Sequence, residues 1–164
     1  MPNRTIRDII AHQKVLSAPD SMTVREAAIR MAENKVGAML ILEKGQLIGI
    51  FTERDLLNRV IAKRLDPDST TLAQVLTADP RTISADKPLA HALVMMDEGG
   101  YRHVPVMDNG KAVGMVSARD ALGAELIEFE NELERREHLA PQGDDRLPRR
   151  SRGLGHLLFP RRAG

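Results

Sequence analysis

The chain has 164 residues, 42% of them hydrophobic, enough for one ordinary compact domain or two small units sharing a core, and it is not expected to hold a separate catalytic domain as well. Its 24 basic and 23 acidic side chains nearly cancel, so no general field draws the body of the protein to nucleic acid or a membrane. The absence of cysteine excludes disulfides, thiolate nucleophiles and thiolate metal sites together.

The first residues, MPNRTIRDIIAHQK, alternate charged and apolar side chains, which gives a short lead-in helix over 5–10 and no continuous apolar leader. No later run approaches the roughly 18 apolar residues needed to cross a bilayer, so a cytoplasmic protein is expected. An extended piece at 15–18 precedes a helix with apolar residues at helical spacing, Val24, Ala27, Ala28 and Met31. A strand over 38–42, a turn at 43–45 and a strand over 47–51 follow, and the second strand runs into a helix that begins near Thr52. The order then returns: a lead-in segment at 71–76, an extended piece at 81–84, and a helix carrying Leu89, Ala92, Leu93 and Met96. A strand over 103–107, a turn through Asn109-Gly110, a strand over 112–116 and a helix from near Ser117 complete the second round.

Sliding the sequence over itself makes the repetition explicit. At an offset of 65 residues, 17–57 aligns with 82–122 without a gap, pairing Ala27 with Ala92, Met31 with Met96, Gly45 with Gly110, Gly49 with Gly114, Arg54 with Arg119 and Asp55 with Asp120. The lead-in segments align once a single residue is inserted. The chain therefore reads as α+β, two units of the order strand, helix, strand, strand, helix.

The second helix of each unit begins with chemistry. GIFTERDLL at 49–57 and GMVSARDAL at 114–122 each join an apolar strand to a hydroxyl residue and then an Arg-Asp pair. A Ser or Thr followed three residues later by an acid is also an ordinary helix cap, which both helices need whatever their function. Arg54 and Arg119 are not required by a cap. With free N–H groups at the helix start, a forked guanidinium suits a phosphate, and the Asp one turn in can accept from two ribose hydroxyls.

The stretch Arg102-His103-Val104-Pro105-Val106, a turn ending at Gly110 and then GMVSARD resembles the signature of CBS domains, named after cystathionine beta-synthase. A weaker copy stands at AMLIL, Gly45 and GIFTERD, and the likeness covers about residues 5–125. The resemblance implies two β-α-β-β-α units packed through small sheets about a pseudo-twofold axis, with clefts that take AMP, ADP or ATP and, in some members, S-adenosylmethionine or NAD derivatives. It implies units over 1–63, with the lead-in helix, and 64–124. It further implies that Asp55 and Asp120 hold ribose, that Thr52 and Ser117 face ribose or phosphate, and that Arg54, Arg119, Arg102 and His103 lie on the phosphate side. The adenine would rest near Leu16, Ser17, Ala18, Val36, Met39, Thr82, Ile83, Val104 and Pro105. Arg102-His103 aligns with Gly37-Ala38, and Pro105 with Leu40, so one dominant cleft is expected, near Arg102, His103, Ser117, Arg119 and Asp120. An Arg-His pair before a strand also serves as a surface ion-pair partner, and that reading stays open.

Enzyme classes find no support: the chain lacks a Walker-type loop, a serine elbow and a carboxylate pair assigned to one cleft, and its five histidines show no metal-ligand spacing. The expected protein is a regulatory module that needs no cofactor, binds an adenosine nucleotide as its ligand, and acts on an unidentified partner protein. A scaffold with vestigial clefts is the alternative. Beyond the repeat, Leu122, Leu126, Phe129 and Leu133 form a narrow apolar stripe on a charged helix expected over 125–140, which either packs back on the body or pairs with its mate in a homodimer. The segment 141–164, with six arginines against two aspartates, is expected to be disordered and is the one place where nucleic acid would be engaged.

Overall fold

Three helix starts in the first round are written by a hydroxyl and an acid three residues on. Thr5 with Asp8, Thr23 with Glu26 and Thr52 with Asp55 each form a reciprocal capping box, in which the hydroxyl accepts from one helical N–H and the carboxylate accepts from the cap's own N–H. A computed structural model describes residues 4–120 together with 122, 123, 131–133 and 135. The first round comprises α1 (Ile6–Ile10), β1 (Ser17–Ala18), α2 (Val24–Glu33), β2 (Ala38–Glu43), β3 (Gln46–Thr52) and α3 (Glu53–Asp55). After α3 the chain widens into π-helical turns over Leu56–Ile61. The second round comprises α4 (Leu72–Val75), β4 (Thr77–Ala78), β5 (Ile83–Ser84), α5 (Leu89–Gly99), β6 (His103–Asp108) and β7 (Lys111–Ser117), after which residues 118–120 are helical. The helix expected over 125–140 and the tail over 141–164 lie outside the described residues, apart from helical 131–133 and 135.

The repeat holds to the level of single pairs. β1 runs parallel to β2 with Ser17 opposite Leu40, and β2 is antiparallel to β3. β5 runs parallel to β6 with Ile83 opposite Val106, and β6 is antiparallel to β7. Each hairpin carries the same irregularity, between Ile41 and Leu42 and between Val106 and Met107, which are again 65 residues apart. Both hairpins turn on two residues of positive φ, Lys44 with Gly45 and Asn109 with Gly110, the geometry that matches the right-handed twist of the flanking strands. Asn tolerates this region better than a long unbranched side chain does. Lys44→Asn should therefore raise stability by about 0.5 kcal/mol, read as a higher urea midpoint at unchanged slope; an unchanged or lower midpoint would count against the turn assignment.

The packing units are not contiguous in the chain. Ile6 and Ile10 of α1 are buried in the core of the second round with Leu89, Ala92, Val104 and Val116, whereas Leu72 and Val75 of α4 are buried in the core of the first with Val24, Ala27, Phe51 and Val60. Each lead-in helix has crossed to the other sheet. Main-chain bonds fix the crossing: Ile6 N–H donates to the Lys87 carbonyl at 2.9 Å, and Leu72 N–H donates to the Met22 carbonyl at 2.9 Å. The Arg7 guanidinium spans Asp86 and Asp108, both at 2.8 Å, and holds the Asp108 carboxyl below its ordinary range. Between the two sheets lies a third apolar cluster, Ala38, Leu40, Ile50 and Met115.

The exchange also explains a difference between the sheets. β4 adds a fourth strand beside β3, with Ile50 opposite Thr77. At the equivalent place beside β7 the described residues add no strand. Instead the Gln13 side-chain amide accepts from Met115 N–H at 2.9 Å and donates to the Met115 carbonyl at 2.7 Å. A side-chain amide thus does for β7 what a peptide group does for β3, and the edge is satisfied.

Candidate ligand-binding cleft

The helix that opens after β7 is capped by its own functional residues. Ser117 N–H and Oγ both donate to Asp120 Oδ2, at 2.9 and 2.8 Å, and Asp120 N–H donates to Ser117 Oγ at 3.2 Å. One carboxylate oxygen is thereby committed. Asp120 Oδ1 has no hydrogen-bond partner among the described residues, and Asp120 lines a cleft of about 900 Å³. That volume lies within the roughly 300–1,000 Å³ of small-molecule sites.

Three stretches distant in sequence build the cleft. The crossed lead-in segment contributes Val15 and Leu16, the end of α2 and start of β2 contribute Val36, Gly37 and Ala38, and the end of β7 contributes Met115. These give an apolar wall. The polar side consists of Arg102, His103, Ser117, Arg119 and Asp120, joined by Lys14, Lys35 and Glu53. Four fixed cations, Lys14, Lys35, Arg102 and Arg119, thus face two carboxylates, Glu53 and Asp120, an excess suited to an anionic ligand. Burial holds the His103 imidazole below its ordinary pKa, against the opposing pull of Glu53 and Asp120.

The equivalent residues of the first round are placed differently. Arg54 Nη1 donates to the Gly100 carbonyl at 2.9 Å. Thr52 N–H and Oγ1 donate to Asp55 Oδ2, both at 3.0 Å, repeating the cap. Asp55 Oδ1, however, accepts from Thr77 Oγ1 at 3.4 Å and lies 3.5 Å from Arg59 Nε. Asp55 is only 8% exposed. The counterpart of Arg59 at the repeat offset is Ala124, which has no donor to offer Asp120.

Of the residues singled out in the sequence, the structure therefore brings Val36, Arg102, His103, Ser117, Arg119 and Asp120 to one cleft with Leu16. Thr52, Arg54 and Asp55 stand at the other helix start, with no part in that lining. Ala18, Met39 and Val104 are buried in the two cores, Pro105 is buried with them, and Ser17 is half-buried in β1. Thr82 and Ile83 border a smaller apolar pocket of about 430 Å³ with Val94 and Met95. Gln13, Lys14, Lys35 and Glu53 were not foreseen: the first two follow the crossed α1, and the other two reach Asp120 only because the two rounds pack against each other. Positive φ at Lys35, where the other repeat has Gly100, was the one local sign that this loop is special. Among the described residues no group of three His, Asp or Glu side chains is placed to hold a metal, and no helix is long and apolar enough to cross a membrane.

The CBS domain family model matches twice, over residues 6–62 and 72–126. The chain belongs to the CBS domain family. A CBS domain-containing protein of Arabidopsis thaliana is 34% identical over 128 residues, which is 77% of this chain and 23% of that protein, so the chain spans under a quarter of that relative's length. Among solved structures, a CBS-domain containing protein from Agrobacterium tumefaciens superposes with a TM-score of 0.69 at 26% identity, covering 74% of this chain and 99% of that one. A CBS domain protein from Pyrobaculum aerophilum complexed with AMP superposes with a TM-score of 0.66 at 30% identity, covering 71% and 89%. Such CBS pairs are regulatory modules, generally without catalysis of their own. The α+β pair of small sheets described above is the architecture of these proteins.

Proposed function

We propose that this CBS pair binds an adenosine nucleotide, of the AMP, ADP or ATP class, in the Asp120 cleft and reports its presence to a partner protein. The observation that carries this reading is Asp120 Oδ1, without a partner among the described residues and held by the Ser117 cap in the lining of a cleft with an apolar wall and a cationic excess. Two neighbouring ribose hydroxyls would donate to that carboxylate. The base would lie against Val15, Val36 and Met115, and phosphate would meet Arg102, Arg119 and the two lysines. The AMP complex of the Pyrobaculum relative supports the choice of ligand class.

Regulation follows from linkage. The cleft draws its walls from both repeats and from the crossed lead-in segment, so a ligand that binds it favours one arrangement of the three over others. Thermal unfolding of the full chain with AMP, ADP, ATP, NAD and S-adenosylmethionine tests the reading. At a ligand concentration of 100 Kd the stabilisation should be about 2.7 kcal/mol. With one tyrosine and no tryptophan, circular dichroism is the suitable signal. No shift with any adenosine ligand would reject the reading and favour a scaffold.

A further inference from the structure

Glu53 is the carboxylate of the cleft that the ribose reading leaves without a role. Its backbone N–H donates to the Gly37 carbonyl at 2.9 Å, and its carboxylate lies over Gly37 so closely that a Cβ built there would meet the carboxyl carbon and one oxygen at 3.2 Å. The same backbone bond recurs between Ala118 and Arg102, at 2.9 Å, at the repeat offset. One repeat thus pairs an acid with a glycine where the other pairs an alanine with an arginine. Among the described residues the Glu53 carboxylate makes no hydrogen bond or ion pair, although Lys14, Lys35 and Arg102 line the same cleft. His103 feels both Glu53 and Asp120, which places the imidazole within electrostatic reach of both carboxylates.

We infer that Glu53 sets the ligand's charge, making the cleft select a nucleoside monophosphate over the corresponding triphosphate. The inference rests on the adenosine-nucleotide reading of the Asp120 cleft. Four lysine and arginine charges against two carboxylates leave a surplus of two. A phosphate monoester carries about −1.5 to −2 at neutral pH, so a monophosphate consumes that surplus. Each further phosphate adds charge with no cation left to meet it and with an unpaired carboxylate nearby. Without Glu53 the surplus would be three, and the longer phosphate chain would be better tolerated.

The test is isothermal titration of the full chain with AMP and with ATP in magnesium-free buffer, for the wild type, Glu53→Gln and Glu43→Gln. Glu43 is an exposed carboxylate at the end of β2, outside the cleft lining, and its variant controls for the loss of one charge anywhere. The wild type should bind AMP more tightly than ATP. Glu53→Gln should narrow that ratio about threefold or more, the effect of one unit charge at roughly 7 Å even in water, while Glu43→Gln leaves it unchanged. Equal shifts for AMP and ATP in Glu53→Gln, or a wild type that prefers ATP, would overturn the inference and leave the nucleotide reading standing. If neither nucleotide binds, the nucleotide reading itself falls and this inference with it.

Discussion

Asp120→Ala should remove most of the stabilisation by an adenosine nucleotide, whereas Asp55→Ala should preserve it. Both substitutions remove the acid of a capping box, so each lowers ligand-free stability by about 1 kcal/mol, through loss of bonds from Ser117 or Thr52. The difference lies in the second carboxylate oxygen. In Asp55 it is already engaged by Thr77 and Arg59, and in Asp120 it has no partner among the described residues. Losing two charge-assisted hydrogen bonds to ribose should weaken binding by about 3 kcal/mol, roughly a hundredfold. The measurement is the ligand-induced shift in unfolding midpoint, taken relative to each variant's own ligand-free value. Asp55→Ala should cost somewhat more ligand-free stability than Asp120→Ala, because it also removes the contacts of Oδ1 with Thr77 Oγ1 and Arg59 Nε. Equal loss of the ligand shift in both variants would show that the two helix starts are used alike.

The contrast between those two aspartates marks the limit of what the sequence could show. What short spacing carries was readable: the repeat register, the two-residue turn at Asn109-Gly110, and the Thr52–Asp55 and Ser117–Asp120 caps rest on local or periodic pattern, whereas at 43–45 a turn was readable without its type. The crossing of α1 and α4 is not local. Ile6 and Ile10 look like the apolar face of any short helix, and nothing in their spacing says that Leu89 rather than Val24 will cover them. Because the crossing and the packing of the two rounds together decide which residues reach Asp120, the cleft was legible only in part. The sequence register sets Arg102-His103 against Gly37-Ala38 as if the pairs belonged to separate sites, yet both pairs line the same cleft. In the same way the closure of Asp55 depends on Arg59, one helical turn on, and on Thr77, 22 residues away across β3 and β4. The pattern TERD gives no hint that its aspartate is engaged.

The glycines inside β3 and β7 acquire a reason from the crossing, and Gly49→Ala should destabilise the protein by about 2–3 kcal/mol. A Cβ on Gly49 would stand 2.8 Å from the Thr77 carbonyl oxygen and 2.8 Å from Leu76 Cδ1. The leucine tip can rotate away, but the carbonyl cannot. Thr77 is paired with Ile50 in the sheet, and the Arg59 guanidinium donates to the Val75 and Leu76 carbonyls at 3.1 and 2.6 Å, so the segment is held on both sides. At Gly114 the neighbour is instead the Ile10 side chain, at 2.9 to 3.0 Å, with α1 behind it. Ile10 Cδ1 can rotate away, but its Cβ and Cγ2 move only with α1; a five-residue helix shifts more readily than a sheet-paired carbonyl, so Gly114→Ala should cost less, about 1 kcal/mol. The sign is informative because neither glycine has positive φ, and a Gly→Ala change without a steric conflict ordinarily stabilises by about 0.4–1 kcal/mol through the unfolded chain. Urea unfolding of the two variants should therefore rank them wild type, Gly114→Ala, Gly49→Ala in falling stability. A Gly49→Ala protein as stable as the wild type would mean that α4 and β4 do not sit against β3, and the exchange of lead-in helices between the two units would have to be given up.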